Sequence, residues 1–164
     1  MHKRENGLHN IKGWDHGVFV PLLLIAPEAN IPVLQVSVLA SQSAADLLKM
    51  GTALSALREK NIAILGSGSA SFHNLRSWFS GGTQGSEFKT KHAQWAAAVD
   101  DAVSDESKLA DWRKFPHAYD MHPRGGAEHF SPLVVCVGAC KGEKPKSYID
   151  NFMGVEMKTY YWVD

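Results

Sequence analysis

Three histidines sit where a protein can put them to chemical use. His16 lies in "WDHG", between an aspartate and a glycine, at the edge of the apolar run "VFVPLLLIAP". His73 follows "ILGSGSASF", an apolar run that ends in glycines and leads into a short helical stretch. His129 lies in "HPRGGAEHFSPL", where a polar loop turns into an apolar helix. Histidine both ligates metals and transfers protons near neutral pH. In open α/β folds the ligand crevice lies beyond the carboxyl ends of the strands, and His73 falls at such a point. If His16 and His129 reach the same end, the three form one site.

Each of these residues also has an explanation that involves no ligand. His16 alone serves equally well as a helix cap or as a partner for a carbonyl. His73 with Asn74 is ordinary polarity at a helix start, and Glu128 with His129 is an ordinary pair in a first turn. His122, before Pro123, is held extended and reads as a loop residue. "GSGSAS" resembles a phosphate-cradling turn but lacks the full glycine fingerprint and a P-loop lysine. Cys136 and Cys140 lie four apart on one helical face, and with His129 they sketch a zinc site. Two small thiols packed in a core is the simpler reading.

The elements that must position these side chains follow an α/β order. Asp15 is placed to cap a short helix, with Pro21 in or near its first turn and Pro27 past its end. "IPVLQVSVLA" from Ile31 and "IAILGSGSA" from Ile62 are nearly continuous apolar runs, which predicts strands buried on both faces of a parallel sheet. Between them Leu47, Leu48, Met50, Leu54 and Leu57 recur at helical spacing, with Ser43 as cap and Asn61 as stop. A loop at 81–87 precedes two amphipathic helical stretches, and a further helix is expected from about Glu128 to Ala139. The aromatic, alternating C-terminal stretch predicts two antiparallel strands. The fold class is therefore α/β: a mostly parallel central sheet flanked by helices, with a C-terminal antiparallel pair.

Composition narrows the function. The chain has 164 residues, room for one domain with a core. Lys plus Arg and Asp plus Glu are both 17, which argues against a basic nucleic-acid surface. No apolar run approaches the roughly 20 residues of a membrane helix. Residues 1–12 are polar, read as a flexible segment and carry no apolar signal region. Two cysteines make no disulfide framework, so a cytoplasmic, reducing setting is expected.

"GWDHGVFVPLLLIAPEANIPVLQVSV", "ILGSGSASFHNLR" and "HPRGGAEHFSPLVVCVGA", in this order, resemble the corresponding blocks of the class III extradiol ring-cleaving dioxygenases, in their DOPA-dioxygenase-like branch. The likeness runs from about Gly13 to the C-terminus. It implies a single α/β domain over 13–164 that matches the C-terminal part of the family, a truncated version of the catalytic fold of the extradiol dioxygenases. It implies an enzyme that opens a catechol ring with O2 and a non-haem metal, Fe(II) or Zn(II). His129 matches a metal-ligand histidine, His73 the histidine that acts as acid and base beside the metal, and His16 a histidine that contacts substrate or oxygen. Asp15, His16 and Asn74 are the expected substrate-contacting residues, and His92 and His117 are expected outside the site.

The family pattern also includes two metal-ligand histidines from an N-terminal region, one in an HGxP-type motif. His2 and His9 sit in no such motif. With one matched ligand the chain is expected to hold metal weakly. An uncovered sheet edge or apolar face is expected too, to be closed in a homo-oligomer or by a complementary N-terminal chain. The alternative to an enzyme is a non-catalytic truncated paralogue or fragment that acts through protein association.

Overall fold

The computed structural model describes residues 13–28 and 30–163. The expected flexible stretch 1–12, with His2 and His9, lies outside them. The chain divides into two compact units, Met1–Val36 and Ser37–Asp164.

The first unit holds one helix, and the described residues after it carry no further helix or strand. Helix α1 spans His16–Ile25, and Asp15 stands at its N-cap position. The Asp15 carboxylate does not cap the helix amides, as its type suggested. It accepts instead from Gln35 Nε2 at 2.7 Å, while Gln35 Oε1 accepts from the Asp15 amide at 3.3 Å. Pro21 lies inside the helix rather than near its start, where it removes one backbone donor. The sequence of α1 is apolar all round, and none of its residues is buried. Trp14, Leu22, Ala26, Ile31 and Val33 line a small cavity within this unit.

The second unit holds the core. Helix α2 (Ala44–Leu54) begins where the sequence says it should, since Ser43 Oγ accepts from the Asp46 amide at 3.3 Å. A 3-10 turn over Ser55–Lys60 carries it on, and Asn61 ends it in the left-handed region at φ 58°. Next come α3 (Leu75–Phe79), α4 (Ser86–Val103), α5 (Glu106–Leu109), α6 (Ala118–Met121) and α7 (Ser131–Ala139). Helices α2 and α7 lie side by side at very short range. A Cβ on Gly51 would come within 2.8 Å of the Ala139 nitrogen, and one on Gly138 within 3.0 Å of Leu48 Cα. Leu47, Trp95, Val99, Leu109, Trp112, Met121, Phe130 and Val134 fill the interior and are 0–1% exposed. Trp95 anchors it, with its indole N–H donating to the Ala70 carbonyl at 3.0 Å and its ring 5.2 Å from that of Phe130.

The C-terminal strands form as expected. β1 (Lys146–Phe152) and β2 (Val155–Tyr161) pair antiparallel, with Phe152 opposite Val155. Met153 and Gly154 make the turn at φ 52° and 82°, the left-handed pair a two-residue hairpin favours. Val155 and two hydrogen bonds tie the hairpin down: the Lys158 amide donates to Ser71 Oγ at 2.7 Å, and the Tyr160 hydroxyl to Asp100 at 2.7 Å.

The fold is thus mixed helix and strand, and β1–β2 is the only sheet among the described residues. The runs from Ile31 and from Ile62, expected as central parallel strands, form no ladder among the described residues, so a mostly parallel central sheet is not shown. A strand needs a neighbour to bond to, and neither run has one among the described residues.

Candidate active site

Two of the three singled-out histidines meet. The imidazoles of His73 and His129 are stacked, with ring centroids 3.4 Å apart and planes 22° from parallel. Backbone bonds hold both in place. The His73 amide donates to the Met121 carbonyl at 2.9 Å, and the Ser69 amide donates to the His129 carbonyl at 2.7 Å. Gly68 is what allows the second contact: a Cβ there would run into the His129 carbonyl and press within 3.0 Å of Pro132. The glycines before His73 therefore serve close approach to α7, not a phosphate.

Asn74 completes the clamp. Its Oδ1 accepts from the Ser77 amide at 3.1 Å and caps α3, while its Nδ2 donates to the Asp120 carbonyl at 2.9 Å. One donor hydrogen and one lone pair remain for another partner. Both histidines are half-buried, and Glu128 Oε1 lies 3.8 Å from His129 Nε2. Burial, and then the charge His129 carries when protonated, hold His73 below the ordinary histidine range. At neutral pH His73 is therefore an unprotonated imidazole, able to take a proton from a bound hydroxyl.

Beneath the pair lies a residue that sequence reasoning treated as loop. His122 is fully buried among aromatic rings, 5.3 Å from Trp95, 5.3 Å from Phe130 and 6.3 Å from Trp112. Burial lowers its pKa to about 3, and both His73 and His129 lie near enough to lower it further. Nothing in "MHPRGG" signals this, because a His-Pro step in a polar loop looks the same whether α6 turns it inward or outward.

His16 is the first residue of α1 in the first unit and is exposed, as is Asp15. His92 is buried on α4 against Phe88 and lines a cavity of about 260 Å3 with Ser71, Asp100 and Lys158, which neither His73 nor His129 lines. His117 bonds Asp120 and Gln94. Cys136 and Cys140 are free thiols, and burial raises both to about 11. They stay protonated, which suits core packing.

Residues 7–159 match the family described as the catalytic LigB subunit of aromatic ring-opening dioxygenase. The chain belongs to this family. The chain is 47% identical to a dioxygenase, tasH, of Hapsidospora irregularis, over 97% of this chain and 54% of that protein. It is 36% identical to a 4,5-DOPA dioxygenase extradiol of Beta vulgaris, over 83% of this chain and 49% of that protein. Its identity to the Escherichia coli protein of the same name is 30%, over 81% and 49%. The chain thus spans about half the length of the curated relatives it matches.

LigB-family dioxygenases generally depend on a non-haem metal. The side chains described here do not make a site for one by themselves: no group of three or more His, Cys, Asp or Glu converges among the described residues. His73 and His129 are two nitrogen donors, and Glu128 stands off at 3.8 Å. No helix among the described residues is long and apolar enough to cross a membrane.

Proposed function

We propose that this chain carries the acid–base half of a catechol ring-opening, extradiol-type dioxygenase active site. The observation that supports this most is the His73–His129 stack, in which burial keeps His73 unprotonated at neutral pH. A catechol must lose a hydroxyl proton before its ring becomes electron-rich enough to react with O2. His73 is the acceptor for that proton and the donor that returns it as the ring opens. Both oxygen atoms end in the product, so no further oxidant is needed. Asp15, His16 and Asn74 are the proposed substrate contacts, Asn74 through the donor and lone pair that its cap leaves free. His129 is the proposed metal-binding residue, one donor of a set that the described side chains do not complete, for Fe(II) or Zn(II). The single domain over 13–164 and the parallel central sheet belong to this proposal too, as does a cytoplasmic setting, which suits two free thiols.

One observation favours a second reading, a non-catalytic relative that acts by association: no group of three metal donors forms among the described residues. A single experiment decides between them. The chain, alone and mixed with the half of the Hapsidospora relative it does not match, is given Fe(II), a catechol such as DOPA, and isotope-labelled O2. The intact relative serves as control. The proposal expects a ring-opened product carrying both labelled oxygens, formed 10²- to 10⁴-fold more slowly by His73→Gln, on the order expected for a lost general base. Absence of product from both preparations, with the control turning over, overturns it.

A further inference from the structure

Helix α4 and the C-terminal hairpin do not close on each other completely. Ala93, Ala96 and Ala97 of α4 and Ile149, Glu156 and Lys158 of the hairpin line a common cavity of about 260 Å3. Methyl groups on the helix are too small to fill it. The space holds several waters or one small organic molecule. Ser71, His92 and Asp100 complete its wall.

The hydrogen-bonding capacity left in this wall is one-sided. Lys158 is committed, since its Nζ pairs with Asp100 Oδ1 at 2.6 Å, and the Tyr160 hydroxyl donates to the same oxygen at 2.7 Å. Ser71 Oγ already accepts from the Lys158 amide at 2.7 Å. The Glu156 carboxylate, by contrast, makes no side-chain hydrogen bond or ion pair with a described residue. His92 is 7% exposed, and its Nε2 is buried without a hydrogen-bond partner. Burial holds His92 below the ordinary histidine range, so at neutral pH the ring adds no positive charge. Two carboxylates, Asp100 and Glu156, thus stand against one ammonium, Lys158, and the cavity keeps one negative charge.

That balance restricts the occupant. An anion meets Glu156 unpaired and finds Lys158 already taken. A bare metal ion lacks its ligands, because no group of three or more His, Cys, Asp or Glu converges among the described residues. A wholly apolar molecule leaves both Glu156 and the orphaned His92 nitrogen without a donor, at a cost for the buried one. An organic ammonium ion brings N–H donors and the missing positive charge. Its carbon body suits the alanine methyls and Ile149.

We propose that the cavity between α4 and the hairpin binds a small organic cation with a primary ammonium group, held by Glu156 and packed against Ala93, Ala96 and Ile149. The site is separate from the stacked histidines, neither of which lines it. It stands whether or not the chain opens catechol rings.

The test titrates the full, isotope-labelled chain with butylammonium chloride at about 0.15 M salt, where loose surface pairing is screened. Butanol and butyrate are the matched neutral and anionic probes. Amide NMR shifts report the site. Saturable shifts at Ser71, Ala93 and Lys158 are expected, with a Kd on the order of 1 mM, as suits a ligand of about five heavy atoms. Butanol should bind at least about tenfold more weakly and butyrate not at all. Glu156→Gln, at an exposed position, should weaken butylammonium about tenfold or more with unchanged circular dichroism. Ala93→Leu, also exposed, fills the cavity and should abolish the shifts. Lys49→Ala, on α2, should bind like the wild type. Any of three results overturns the proposal: no saturable shift at these amides, butanol or butyrate bound as well as butylammonium, or wild-type affinity in Glu156→Gln or Ala93→Leu.

Discussion

His73 and His129 present their imidazoles face to face, 3.4 Å between centroids. Two rings so close cannot both take a proton without repulsion, so His73 senses the charge of a protonated His129. Burial is the larger cause of the lowered His73 pKa and His129 the next. Replacing His129 with Gln should therefore raise the His73 pKa toward 6.5 but not restore it. Histidine NMR titrations of the two proteins check this. An unchanged His73 curve would show that the rings do not interact in solution.

The buried His122 makes stability depend on pH. In the folded chain its pKa is lowered to about 3, while the unfolded chain titrates near the ordinary value of about 6.5. Below that value the unfolded state binds a proton that the folded state refuses. Stability is therefore complete above about pH 6.5 and is lost as pH falls toward 3, at roughly 1.4 kcal/mol per pH unit for one group. His73 and His92 are also lowered and act in the same direction. Urea midpoints measured from about pH 7.5 to about pH 5 should fall for the wild type and fall less steeply for His122→Phe. Parallel slopes for the two would show that His122 is not buried as a neutral ring.

Asn74 ties the segment that carries His73 to two elements at once. Ala at this position loses both the α3 cap and the bond to the Asp120 carbonyl, at a cost of about 1–2 kcal/mol. Asp keeps an acceptor for the Ser77 amide but cannot donate to Asp120. Its cost should be smaller. Denaturant titrations of the two variants separate the contributions, and equal losses would mean that the cap itself adds nothing.

The α2–α7 contact tolerates no bulk. Val at Gly138 has to push Leu48 aside, and overpacking of this kind costs about 1–3 kcal/mol or more. Lys49, on the same helix α2, has a side chain 80% exposed, so Lys49→Ala should change stability by no more than about 0.5 kcal/mol. Thermal unfolding compares them directly. A Gly138→Val protein as stable as Lys49→Ala would mean that the two helices can part without loss.

Much of the local structure was legible because its causes are local. Ser43 caps α2 and Asn61 stops the turn that follows it, since each acts on amides and carbonyls within a few residues. The hairpin of β1 and β2 was legible for the same reason, as its register is set by a two-residue turn. The candidate pair was legible in its residue types: His73 and His129 stood out by their places at the ends of apolar runs, and both blocks lie in the region that matches the LigB family. Asp15 shows the limit of such reasoning. Its type and position suggested a cap, but Gln35 offers its carboxylate a better-placed donor.

What the sequence determined by itself is therefore the inventory: which residues can cap, turn, carry protons or fill a core, and which family blocks they form. What only the tertiary structure decided is which of them meet. The stack of His73 on His129 depends on Gly68 lying against His129 and on residues 73–74 bonding back to 120–121. The burial of His122 depends on Trp95, Trp112 and Phe130 closing around it. The run from Ile62 reads as an interior strand in sequence, yet a strand is a relation between two segments, and one segment's composition cannot state whether the other is there.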